Sequence, residues 1–129
     1  MANITPTITD VSDRKDGSAI LVQWADGGSN NSANTYLPVS FPKHADKSIQ
    51  VYGTFGGASI ALNGSNDNIG TPANFAALND PSSTVIAITS AKIKAVLENT
   101  VHVQPVASGG TAQNLNIQML FQFANPART

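Results

Sequence analysis

Apolar and polar residues alternate along most of this chain, with the period of two that marks a strand with one buried face. The clearest case runs from 114 to 123. Leu115, Ile117, Met119, Phe121 and Phe123 fall on one side, and Asn116, Gln118, Leu120 and Gln122 on the other. Residues 48–55 repeat the pattern, with Ile49 and Val51 opposed by Gln50, Tyr52 and Thr54. Residues 18–24, 58–63, 84–89 and 101–106 are rich in strand formers. Gly56-Gly57 separates two of these runs and predicts a hairpin turn, and Asn63-Gly64 predicts the next turn. Two stretches leave alternatives open. Thr71-Pro72 suits the start of a helical turn through Leu78, but also a short extended strand. In 91–99, Ile93, Val96 and Leu97 fit helical spacing, whereas Ile93, Ala95 and Leu97 fit alternation, and a strand is favoured. Pro105 argues for a sheet edge or a bulge.

Strands at short intervals with glycine-rich turns, and no βαβ pattern, predict an all-β fold. The expected form is an antiparallel β-sandwich or jelly-roll-like barrel with an extended N-terminal arm. Residues 1–13 hold Ile4, Ile8 and Val11 among Thr, Pro and Asp, and read as an arm that adds a strand to a neighbour. Residues 14–123 are the sandwich domain, expected to fold without the arm, and 124–129 a flexible tail. The polar stretch 27–34 is a flexible loop by composition and a second candidate contact.

Composition changes the picture in one respect. The 129 residues carry 7 Lys and Arg against 8 Asp and Glu, so only 12% are charged, about half the usual share of roughly 25%. Neutral amides and hydroxyls supply the polarity instead. Such a surface suits a domain packed against copies of itself or a partner, and it equally fits an ordinary β domain of unusual composition. The formal charge of −1 and the lack of a basic, aromatic-interleaved stripe argue against nucleic acid. No run approaches the roughly 20 apolar residues of a membrane span, and no signal peptide is visible. With no cysteine, disulfides and thiolate chemistry are excluded.

Candidate chemistry is thin. His44 and Asp46 are two apart, which suits an oriented imidazole, but no nucleophile motif accompanies them. His102 lies between Val101 and Val103 and reads as a surface or interface histidine. Asp80 and Glu98 lack an obvious partner for glycosidase chemistry. The run 63–70 resembles an oxygen-ligand loop, but its one carboxylate, Asp67, fits a turn better than a calcium site. Lys92 and Lys94 read as a solvated face or as the guard of an edge strand. No catalytic residue, metal ligand or cofactor is expected. Trp24, Tyr36 and Tyr52 are the aromatic candidates for a glycan platform, although a lone Trp is more often core.

Two blocks carry a family resemblance. Residues 45–58 (ADKSIQVYGTFGGA) are followed by 63–67 (NGSND), and later come 78–80 (LND) and 103–111 (VQPVASGGT). This order, over roughly 45–123, resembles small virion proteins of tailed bacteriophages of the capsid decoration, or cement, type. Gln104 stands where that pattern has an arginine before the proline. The resemblance implies a sandwich made in the host cytoplasm that binds the outer surface of the assembled head. The implied partners are the major capsid protein and further copies of the chain, with a trimer favoured and a dimer open. The alternative is a tail or baseplate module that binds a host glycan through the aromatics. Ile4, Ile8, Val11, Trp24, Tyr36, Tyr52, His102 and Gln104 are the interface candidates.

Overall fold

The computed structural model describes residues 3–28, 34–68 and 70–123. The predicted loop at 27–34 lies largely, and the tail at 124–129 wholly, outside the described residues. The chain folds as a β-sandwich, with no helix among the described residues. The strands are β1 (Asn3–Ile4), β2 (Thr7–Asp10), β3 (Ala19–Ala25), β4 (Thr35–Tyr36), β5 (Asp46–Thr54), β6 (Ala58–Ser65), β7 (Ala76–Ala77), β8 (Ala87–Ile88), β9 (Lys92–Ala95), β10 (His102–Gly109) and β11 (Asn114–Gln122). One sheet is ordered β1-β4-β10-β6-β7, with β8 also paired to β6, and the other β2-β3-β11-β5-β9. Every pair is antiparallel except β1 with β4.

Alternation builds the core as the sequence implies. Val22, Ile49, Val51, Leu115, Ile117, Met119 and Phe121 point inward from the five-stranded sheet and meet Tyr36, Ile60, Leu62, Ile88 and Val103 of the other. All are fully or almost fully buried. Phe123, just beyond the end of β11, is instead half-exposed against the His44 ring, 4.6 Å between centroids.

Several local expectations are corrected. The Phe55–Ala58 turn is tight, with φ of +57° and +86° at its two glycines and Ala58 N donating to Phe55 O at 2.9 Å. It does not make a hairpin, because β5 and β6 belong to different sheets. Gly109-Gly110 crosses between the sheets at the same end, and Thr111 N donates to Gly56 O at 2.9 Å. Residues 71–78 take the extended alternative. The strand at 91–99 is β9, an edge strand, but Ile93 and Leu97 point outward while Lys94 reaches Asp80 at 3.3 Å. Pro105 sits in an interior strand. Its nitrogen points the same way as that of Val103, toward residues 36–39, where pairing is interrupted and no ladder donor is lost.

Residues 3–10, expected to reach a neighbour, pair within their own chain. β1 lies beside β4 in one sheet and β2 beside β3 in the other. A cut at 13/14 falls in a turn organised by Asp10, whose carboxylate accepts from Ser12 N, Ser12 Oγ and Gly17 N. Removing 1–13 therefore strips an edge strand from each sheet.

Candidate functional site

The outer face of the five-stranded sheet gathers the chain's neutral polar surface. Register alone sets its rows. Thr7, Gln23, Gln118, Gln50 and Ile93 lie side by side across all five strands. The adjacent row is Thr9, Leu21, Leu120, Ser48 and Ala95. Ala25, Asn116 and Tyr52 form a third row, and Ala19, Gln122 and Asp46 a fourth. Asp46 is the one ionisable carboxylate on these rows, and no lysine or arginine stands on them. Ile93 is 63% exposed and Tyr52 38%, and Gln118 Nε2 donates to Tyr52 Oη at 3.3 Å. Leu97, also exposed, borders a groove of about 330 Å³ between Ala95, Leu120 and Pro81. Leu21 and Leu120 thus form an aliphatic centre flanked by amides that both donate and accept hydrogen bonds.

The eight candidates from sequence do not converge. Trp24 and Tyr36 are core residues. Trp24 Nε1 donates to Leu37 O at 3.0 Å, and Tyr36 Oη donates to Asp26 Oδ1 at 2.7 Å. Burial, with Asp26 beside it, pushes the Tyr36 phenol above its usual range. A glycan platform of three aromatics is therefore reduced to Tyr52. His102 is buried, against the surface or interface position expected, and its Nε2 lies 3.0 Å from Asp67 O. Gln104, on the other sheet, donates to Tyr36 O at 2.8 Å. Ile4 packs against the core, while Ile8 and Val11 remain exposed at the β2 edge. Sequence reasoning did not single out Leu21, Gln23, Gln50, Gln118 or Ile93, although strand alternation already placed Gln50 and Gln118 on outward faces.

The remaining chemistry is structural. His44 Nε2 meets Gly17 O at 2.6 Å and Nδ1 has no hydrogen-bond partner, so Asp46 does not orient this ring. The Asp67 carboxylate accepts from Asn74 N at 2.9 Å, Ala73 N at 2.8 Å and Asn74 Nδ2. Those bonds, the one from Asn74 N first, hold its pKa at about 2 and occupy it with donors rather than a cation. Asp80 is held below its usual range, first by the Thr84 N–H and also by Lys94. Glu98 is lowered by Asn79, whose backbone and side-chain N–H groups each reach it at 2.7 Å. Among the described residues, no three His, Asp or Glu side chains cluster to hold a metal. No described helix is long and apolar enough to cross a membrane.

No family model and no curated protein sequence matches the chain. Solved structures with partial similarity include the CoII form of HppE in complex with Tris buffer (12% identity, 92% of this chain, 53% of that one, TM-score 0.47). Another is the CBM22-1–GH10 portion of Clostridium thermocellum endo-1,4-β-D-xylanase 10B complexed with xylohexaose (6%, 93% and 25%, TM-score 0.40). A third is the K3 adhesin domain of Lys-gingipain from Porphyromonas gingivalis (16%, 80% and 74%, TM-score 0.37). The chain spans about half the length of the first and a quarter of the second. At these identities and scores, none of the likenesses assigns a function.

Proposed function

We propose that this chain is a bacteriophage capsid decoration protein that binds the outer surface of the assembled head and cements neighbouring subunits. The observation that carries this reading is the outer face of the five-stranded sheet, where amides, hydroxyls and aliphatic groups fill the rows and the single carboxylate, Asp46, stands in the end row. The resemblance of residues 45–123 to phage cement proteins supplies the partner, the major capsid protein. The five strands hold 4, 7, 9, 9 and 4 residues, which at about 3.3 Å by 4.8 Å per residue give a face on the order of 500 Å², less than one partner's share of a standard interface. A standard interface uses about 800 Å² per partner. Uncharged contacts bind with little dependence on salt. A protein that binds only the assembled lattice stabilises it by linkage. A trimer, or a dimer, engaging several capsid subunits at once multiplies weak contacts. Val11, beside Ala19 at the β2 edge and 41% exposed, extends the contact, whereas Ile8 pairs with the inward-facing Val22 and lies on the other side of the sheet.

Co-sedimentation with empty heads tests the reading. The wild-type chain pellets with heads at both low and high salt, while Leu120→Glu, which sets a carboxylate at the centre of the face, stays in the supernatant with an unchanged circular-dichroism spectrum. If Leu120→Glu decorates heads as well as wild type, the face is not the contact. If wild type ignores heads, the decoration reading fails, and titration with host polysaccharide becomes the measurement, with Tyr52 the residue to change.

A further inference from the structure

Lys47 is the anomaly in the charge distribution. It points inward from β5, opposite Phe121 of β11, and is only 6% exposed. Lysine is almost never buried this far unless paired. Yet its amine meets no carboxylate at ion-pair distance, since the salt bridge among the described residues is Lys94–Asp80. It donates instead to Oδ1 of Asn99, a neutral carboxamide. That carboxamide is held from its other end, where Nδ2 donates to Pro42 O at 3.0 Å. The backbone is fixed as well, with Val96 N donating to Lys47 O at 3.1 Å. Burial lowers the affinity of the amine for its proton, opposed by the charge of Asp46. A neutral amine is a nucleophile. Hydrogen-bonded to Oδ1 of Asn99, one bond from the acyl carbon, it gains the effective concentration of an intramolecular reaction.

We propose that Lys47 and Asn99 are joined by an intramolecular isopeptide bond. Nζ of Lys47 adds to Cγ of Asn99 and the Cγ–Nδ2 bond breaks. One proton from Nζ departs with Nδ2 as ammonia, so no oxidant or cofactor is consumed. The Pro42 carbonyl, which accepts from Nδ2, orients the leaving group. The link joins positions 52 apart in sequence. It ties β5 to the segment between β9 and β10, across the four-residue edge strand β9. In a chain without cysteine it takes the part of a disulfide, independent of redox conditions. This inference does not depend on the decoration reading.

Intact-mass spectrometry of the full chain tests it. The wild-type protein is expected about 17 Da below its sequence mass, the loss of one ammonia in amine-for-amide substitution. Proteolysis is expected to release a branched peptide containing both Lys47 and Asn99. Lys47→Arg and Asn99→Ala should each return to their own sequence masses. Asn99 is exposed, so its truncation spares the core. A wild-type protein at its full sequence mass overturns the proposal. So does the same mass loss without the branched peptide, since cyclisation at Asn63-Gly64 also releases ammonia.

Discussion

Alanine at Gly56 and at Gly57 separates two reasons a turn demands glycine. Both residues sit in the left-handed region, at φ of +57° and +86°. An L side chain there costs roughly 1–2 kcal/mol, offset by about 0.4–1 kcal/mol from the stiffer unfolded chain. At Gly57 that is the whole effect, because an added Cβ meets nothing nearer than Gly110 Cα at 3.9 Å. Gly57→Ala should therefore cost about 1 kcal/mol. At Gly56 the Cβ would lie 2.1 Å from Thr111 O and 3.3 Å from Gln113 N, both backbone atoms. The turn and the β10–β11 crossing must part. That breaks the 2.9 Å bond from Thr111 N to Gly56 O, worth about 1 kcal/mol, and loosens the packing beneath it. With roughly 1 kcal/mol more for the loosened packing, about one methylene's worth, the sum for Gly56→Ala is about 3 kcal/mol. For 129 residues, 1 kcal/mol moves Tm by about 4 °C. Thermal melts followed by circular dichroism should thus show Gly56→Ala falling about 12 °C and Gly57→Ala about 4 °C. Equal shifts would refute the claim that close approach of the two crossings, rather than turn geometry alone, selects glycine here.

Other consequences follow from single contacts. Asp26→Ala removes the acceptor of the Tyr36 hydroxyl and of Leu115 N; urea unfolding should show a loss of about 2–3 kcal/mol, with Tyr36→Phe costing less. Asp67 has a folded pKa of about 2, below the unfolded value near 3.9. Its contribution is therefore complete above that unfolded value and is lost as pH falls toward the folded one, so Asp67→Asn should flatten the dependence of Tm on pH between 4 and 2. Phe121, fully buried between β3 and β5, should cost about 3–5 kcal/mol as Phe121→Ala in the same urea assay. Deletion of residues 1–13 should lower Tm measurably, because it removes β1 and β2; an unchanged melt would mean that these strands add nothing to the domain.

Much of this sandwich is legible one strand at a time, and the misses have a common cause. Alternation assigns the inward faces of β5 and β11 because a period of two is local information. Which sheet a strand joins is not local. The turn at Gly56-Gly57 has the positive φ of a hairpin, yet the chain uses it to cross the core, and nothing within residues 48–63 distinguishes the two outcomes. The same limit explains β9. Ile93 and Leu97 look like a core stripe, yet register with β5 sets Ile93 beside Gln50 on the outer face and Lys94 beside Ile49, where it reaches Asp80. The sequence leaves Trp24 open between core and platform, and marks Tyr36 as a platform residue, for a related reason. Their polar atoms are satisfied by Leu37 and Asp26, partners that register and crossing bring together.

The outward faces are informative in a way the inward ones are not. Burial leaves little choice of residue, so Val22, Ile49 and Leu115 record only that a core exists. Where water is the neighbour, charge costs nothing and aids solubility. A face of five strands that nonetheless carries one carboxylate, with Leu21 beside Leu120 at its centre, has been kept free of groups that resist desolvation. Removing an unpaired charge from water is costly, whereas an amide loses little if it meets another amide. Charges at Asp10, Asp80 and Lys94 are instead spent on turns and an edge. Lys47 apart, the fold thus holds these charges on loops and an edge and leaves a broad neutral sheet, the feature on which the proposed head-binding role rests.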